Sequence, residues 1–67
     1  MGEGVAEMPI VHISAWEGFG EEKAKMTIKN ITQVFVDQGI PREHVEIVIH
    51  EIPKTHWGKG GKPASEL

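Results

Sequence analysis

The chain has 67 residues, four histidines and no cysteine, and its formal net charge is −3 with a pI of about 5.7. A chain this short forms one domain at most and usually needs disulfides, a metal or oligomerisation for stability. The absence of cysteine excludes disulfides, and the histidines lack paired ligand spacing on one helix, which argues against structural zinc. The composition therefore predicts an oligomer, and the acidic charge argues against nucleic acid as the main partner.

The start of the chain is predicted to be an extension, residues 1–8, that precedes a single domain, residues 9–67. The extension is small and acidic, and it lacks the basic start and apolar core of a signal peptide. No apolar run approaches the roughly 20 residues that span a bilayer. We therefore expect a cytoplasmic protein without a membrane partner.

A short alternating segment follows the extension. One side of it carries Ile10, His12, Ser14 and Trp16, and the other carries Val11, Ile13 and Ala15. Period-two spacing with β-branched residues predicts a strand from Pro9 to Trp16, and proline is compatible with the first strand position. Two glycines among residues 17–20 predict the turn that ends it.

The period changes to that of a helix between Glu21 and Gln38. The predicted apolar stripe consists of Ala24, Thr27, Ile28, Ile31, Val34 and Phe35. Acidic residues at 21 and 22 suit the positive N-terminal end of a helix, and Gly39 is the expected C-terminal cap. The pattern predicts an amphipathic helix of about five turns.

A second strand is predicted over residues 45–50, where apolar residues alternate again. The order strand, helix, strand predicts an α+β fold with a single β-α-β unit, parallel strands and a right-handed crossover. Three glycines around residues 57–61 predict a C-terminal hairpin arm. One helix and two strands are too little for a stable monomer, so we expect other copies to complete the sheet.

Three motifs along this pattern point to a known family. They are Pro9-Ile10-Val11 at the head of the first strand, Glu17-Gly18 at its end, and His56-Trp57-Gly58-Lys59-Gly60-Gly61 after the second strand. Over residues 9–67 the chain resembles the 4-oxalocrotonate tautomerase family. The resemblance implies an isomerase that assembles as a homohexamer, a trimer of dimers, and requires neither cofactor nor metal. It also implies keto–enol proton transfer, 1,3 or 1,5, on a small 2-oxo or 2-hydroxydienoate-type acid.

The resemblance implies that Pro9 is the general acid/base and that Trp57 walls the substrate pocket. A free α-amino group titrates at about 7.7–8.0, and an apolar pocket disfavours its charged form. Such a base is suited to proton transfer near neutral pH. The role requires Pro9 to be the first residue, because an amide nitrogen inside the chain has no usable basicity.

Two substrate-binding arginines of the family have no counterpart in this chain. Phe19 follows the Glu-Gly pair where the family has the first, and Glu46 stands early in the second strand where it has the other. A charge-assisted hydrogen bond contributes roughly 1.5–3 kcal/mol, and Glu46 would repel a dicarboxylate. The sequence therefore argues against the family's dienoate diacid. It leaves Arg42 and Lys59 as candidate substrate-binding cations, in a pocket that includes Phe19.

Two interpretations remain open from the sequence. The first is an active tautomerase in which Met8 is the initiator, or the tail is cleaved, and Pro9 is exposed. The second is a non-enzymatic or vestigial oligomeric scaffold in which residues 1–8 block Pro9. On either interpretation His12 and His50 are predicted to be structural or solvent-facing strand residues rather than metal ligands.

Overall fold

The computed structural model describes residues 8–67. Strand β1 is Ile10–Trp16, helix α1 is Glu21–Val36, strand β2 is Glu46–Ile52, and the hairpin strands are β3, Gly58–Lys59, and β4, Lys62–Pro63. β1 and β2 pair in parallel, and β3 and β4 pair antiparallel. The predicted α+β fold, with one parallel β-α-β unit and a hairpin arm, is confirmed.

The two faces of the β1–β2 sheet differ in burial. Half-buried side chains, Val11, Ile13, Ala15, Ile47 and Ile49, occupy one face. The opposite face, here called the open face, consists of Ile10, His12, Ser14 and Trp16 of β1 with Glu46, Val48 and His50 of β2, and all of these are exposed. Within residues 8–67, the contacts on the open face are those of Trp57 and Lys54 with Trp16 at one end, and the rest of the face stays exposed.

The ends of α1 follow from glycines. Gly20, with φ of 92°, precedes the first helical residue, and Gly39, with φ of 94°, follows the last turn. The N–H of Gly39 donates to the Val36 carbonyl at 2.9 Å, and that of Ile40 donates to the Phe35 carbonyl at 3.1 Å. Backbone carbonyls that the helix leaves free are thereby satisfied, as in a glycine C-terminal cap. Gly39 has the predicted role, although the helix ends two residues before the predicted Gln38.

The sheet of one chain covers only part of the predicted apolar stripe of α1. Ile28 is 40% exposed and Val34 is 53% exposed. The physical reason is that one helix on two strands contacts only a narrow sheet. Among residues 8–67, Ala64 is the only apolar residue that is buried. Exposed apolar surface of this kind is typical of a face that binds a partner. No helix in the same range has the length and hydropathy to cross a membrane.

Candidate active site

Pro9 lies at the head of β1 and is tied to the start of β2. It is half-buried, and its carbonyl oxygen accepts a hydrogen bond from the N–H of Glu46 at 3.0 Å. The bond comes from the main chain, so it does not depend on the side chain at position 46. It places Glu46, which is exposed, next to the candidate catalytic proline.

Arg42 lies at the same end of the sheet, in a 3₁₀ turn (Arg42–His44) that leads into β2. Its Nη2 donates to Oε1 of Gln33 on α1 at 3.2 Å, and Nε2 of Gln33 donates to Oδ1 of Asp37 at 2.8 Å. Arg42 is therefore engaged with the last turns of α1. A guanidinium has five N–H donors, so this contact leaves others for a substrate carboxylate.

Two tryptophans and a lysine form a cluster at the opposite end of the sheet: Trp16, Trp57 and Lys54. The two indole rings meet edge to face, with centroids 6.1 Å apart and planes at 81°. Nζ of Lys54 lies 4.6 Å from the Trp16 ring centroid, within cation–π range. The Trp57 carbonyl accepts the N–H of Ala64 at 2.7 Å, which fixes the base of the arm. Sequence reasoning missed Lys54, since only the folded chain brings it over Trp16.

Phe19 lies beyond the C-terminal end of β1, beside the start of α1. It is half-buried and lines an open, mostly apolar cavity of about 310 Å³. The other lining residues are Glu22, Lys23, Met26 and Thr27. The cavity presents the Phe19 ring, so an apolar group fits it better than a carboxylate does.

The predicted site residues fall into two groups in the protomer. Pro9 and Arg42 lie where the parallel strands begin, whereas Phe19, Trp57 and Lys59 follow the points where β1 and β2 end. The seven residues of β1 span about 20 Å at a rise of about 3.3 Å per residue. One protomer therefore does not bring Pro9 together with the arm. A site that contains both groups requires residues from more than one copy.

Comparison with known proteins shows to which protein family this chain belongs. The family model described as "Tautomerase enzyme" matches residues 9–66. A 2-hydroxymuconate tautomerase of Comamonas testosteroni is 39% identical over 61 residues, which cover 90% of this chain and 97% of that protein. A probable tautomerase of Ralstonia nicotianae is 39% identical over 59 residues, which cover 87% of this chain and 84% of that protein.

Solved structures agree with the sequence matches. A structure from work on the 4-oxalocrotonate tautomerase isozymes of Methylibium petroleiphilum superimposes with a TM-score of 0.76 at 38% identity, covering 85% of this chain and 94% of that one. A heterohexamer 4-oxalocrotonate tautomerase of Chloroflexus aurantiacus superimposes with a TM-score of 0.77 at 28% identity, covering 90% and 98%. The chain belongs to the 4-oxalocrotonate tautomerase family and is a tautomerase, a type of isomerase.

Proposed function

We propose that this protein catalyses 1,3- or 1,5-keto–enol proton transfer on a small 2-oxo or enol acid, with Pro9 as the amino-terminal general acid/base. The observation that carries the proposal is that the family match begins at Pro9, the residue that heads β1. The backbone bond from Glu46 holds this residue at the edge of the sheet. Met8 stands immediately before it, so initiation at Met8 followed by methionine removal would expose the ring nitrogen.

The chemistry requires one base that both takes and returns a proton. The lone pair of the Pro9 amine removes the hydroxyl proton of the enol, and the resulting ammonium delivers a proton to carbon, C3 for a 1,3 or C5 for a 1,5 transfer. The products are the keto acid and the free amine, so atoms and charge balance without a cofactor. Apolar surroundings lower the pKa of such an amine from its ordinary value of about 7.7–8.0.

The site is proposed to form between copies of the chain. Pro9 of one copy would meet the arm of another, because the two ends of the sheet are separated within a protomer. The open face and the scarcity of buried apolar residues among residues 8–67 support such an assembly. We propose a homohexamer, a trimer of dimers. A cytoplasmic location stays a prediction from the sequence.

The charges of the site favour a substrate with one carboxylate. Glu46 next to Pro9 repels a second carboxylate, whereas Lys59 on β3 and Arg42 before β2 are cations that can hold the first. The half-buried aromatic rings of Phe19 and Trp57 offer an apolar surface to the part of the substrate beyond its carboxylate. We therefore propose an enol monoacid with an apolar substituent rather than a dienoate diacid.

Lys59→Ala is expected to raise the KM for an anionic enol by about tenfold, because the substitution removes one charge-assisted hydrogen bond to the substrate. Arg42→Ala is expected to act in the same direction. Lys29→Ala on the exposed surface of α1 is the matched control, since it removes the same charge away from both ends of the sheet. Steady-state kinetics measures the effect, and an unchanged KM removes the substituted residue from the site.

The proposal is tested by phenylenolpyruvate ketonisation with a form of the protein that starts at Met8. We expect this form to lose its methionine, as mass spectrometry will show, and to exceed its Pro9→Ala variant by at least about 10²-fold in kcat. The variant keeps a primary amine but lacks the ring that fixes the nitrogen. Equal rates for the two proteins would overturn the proposal and favour the vestigial scaffold. A native protein that begins at Pro9 would further support catalysis.

A further inference from the structure

Two histidines lie next to each other in the middle of the open face. His12 on β1 stands opposite Val48, and His50 on β2 stands opposite Ser14, so the two are diagonal neighbours across the parallel ladder. Nδ1 of His12 and Nε2 of His50 are 3.2 Å apart. Both residues lie inside their strands, away from the ends that carry Pro9 and the arm.

The two imidazole rings meet edge to edge. Their planes differ by 11° and their centroids are 5.4 Å apart. This separation nearly equals the nitrogen–nitrogen distance plus the two ring radii, so both nitrogens lie close to the line that joins the ring centres. The in-plane orbitals of the two nitrogens therefore face each other. Between neutral rings one nitrogen donates its N–H and the other accepts.

We propose that His12 and His50 form a two-ligand site for a divalent transition metal ion of the Zn²⁺, Ni²⁺ and Cu²⁺ class, which imidazole nitrogen binds well. Two nitrogens bound to tetrahedral zinc at about 2.0–2.1 Å are about 3.3 Å apart. The observed separation of 3.2 Å is close to this bite distance. A tilt of both rings turns their lone pairs to a common point. The ion replaces the shared hydrogen, and the ring that carried it holds the proton on its other nitrogen.

The pair supplies only part of a coordination sphere. Within residues 8–67, no further histidine, cysteine or carboxylate joins it to make a group of three. Its direct neighbours in the register, Val48 and Ser14, are an aliphatic residue and a neutral hydroxyl. In an assembly that covers the open face, the remaining positions are left to water between the copies or to the same pair of another copy. Two protein ligands per chain distinguish this site from a closed four-ligand structural zinc site.

The register of the sheet is the observation that the sequence could not supply. The two histidines are 38 residues apart in the chain, with α1 between them. Metal-site motifs are recognised by short spacing, and this pair has none. The proposal therefore departs from the expectation, drawn from the sequence, that both residues are structural or solvent-facing and that the protein holds no metal.

Titration calorimetry of the untagged protein with ZnCl₂ and NiCl₂ tests the proposal. We expect His12→Gln and His50→Gln each to lower the affinity at least about tenfold, since even outer-shell changes cost 10–100-fold. His56→Gln is the matched control. His56 is also exposed, and its Nδ1 lies 2.8 Å from the Thr55 hydroxyl rather than near another histidine. We expect this variant to keep the parent affinity.

A spectroscopic readout locates the ion and controls for folding. Zn²⁺ should shift the imidazole signals of His12 and His50 in nitrogen–proton correlation spectra of the parent protein. Amide spectra of the two Gln variants show whether they fold. One ion per chain or one per two chains supports the proposal, provided that the Gln variants lose it. Absence of binding, binding that survives both substitutions, or shifts confined to His44 and His56 would overturn it.

Discussion

Keeping residues 1–8 attached to Pro9 is expected to lower kcat/KM for enol ketonisation by about 10²–10⁴-fold, the contribution of a positioned general acid/base. In the longer chain the Pro9 nitrogen belongs to a peptide bond, where resonance delocalises its lone pair. In a chain that begins at Pro9 the same nitrogen is a secondary amine. Initial rates with phenylenolpyruvate, measured on both forms at equal concentration, give the ratio.

Two controls separate this chemical block from an effect of the tail on assembly. Intact mass spectrometry establishes which residue comes first in each sample, and light scattering gives the number of copies in each assembly. The block acts on one atom, so the loss is expected even where both forms assemble alike. Similar rates from two verified, equally assembled forms would contradict the role of Pro9 as the base.

Glu46→Arg is expected to raise kcat/KM for a 2-hydroxymuconate-type dicarboxylate by about 10–150-fold. The change removes a repulsive carboxylate and supplies a charge-assisted donor pair, for which roughly 1.5–3 kcal/mol is typical. The backbone bond from position 46 to the Pro9 carbonyl does not involve the side chain, so the strand register should persist. For a monocarboxylate enol we expect a much smaller change, because a second carboxylate is absent.

Glu43→Arg is the matched control for this experiment. Glu43 is an exposed carboxylate in the 3₁₀ turn before β2, so the substitution changes the net charge by the same amount near the same end of the sheet. Equal gains from both variants would show a general charge effect instead of a contact at position 46. No gain from Glu46→Arg would place Glu46 outside the substrate site.

Local patterns explain why much of the fold was predictable. The change from period two to period 3.6 identified β1 and α1, and Gly39 marked the helix end through a backbone conformation that other residues rarely adopt. Burial was less predictable. Ile28 and Val34 belong to the apolar residues of α1, yet how many of these are covered depends on the width of the sheet beneath them.

The candidate site was predictable only in part, because its geometry depends on contacts between distant segments. Motif resemblance selected Pro9 and Trp57 as parts of one pocket, whereas the protomer holds them at opposite ends of the sheet. The spacing of these residues along the sequence does not indicate which copy of the chain supplies which residue to a pocket. The contact of Lys54 with Trp16 likewise depends on where the turn after β2 returns to the end of β1.

The separation of Pro9 from the arm along β1 has an evolutionary consequence if pockets form between copies. Each chain then contributes a base to one pocket and an aromatic wall to another, so the two contributions can be inherited separately. After gene duplication, one paralogue can lose its base and still complete the pockets of its sister. A subunit whose base and aromatic wall serve different pockets therefore allows two paralogues to specialise within one hetero-oligomer. The active site is then encoded by the pair of genes rather than by either gene alone.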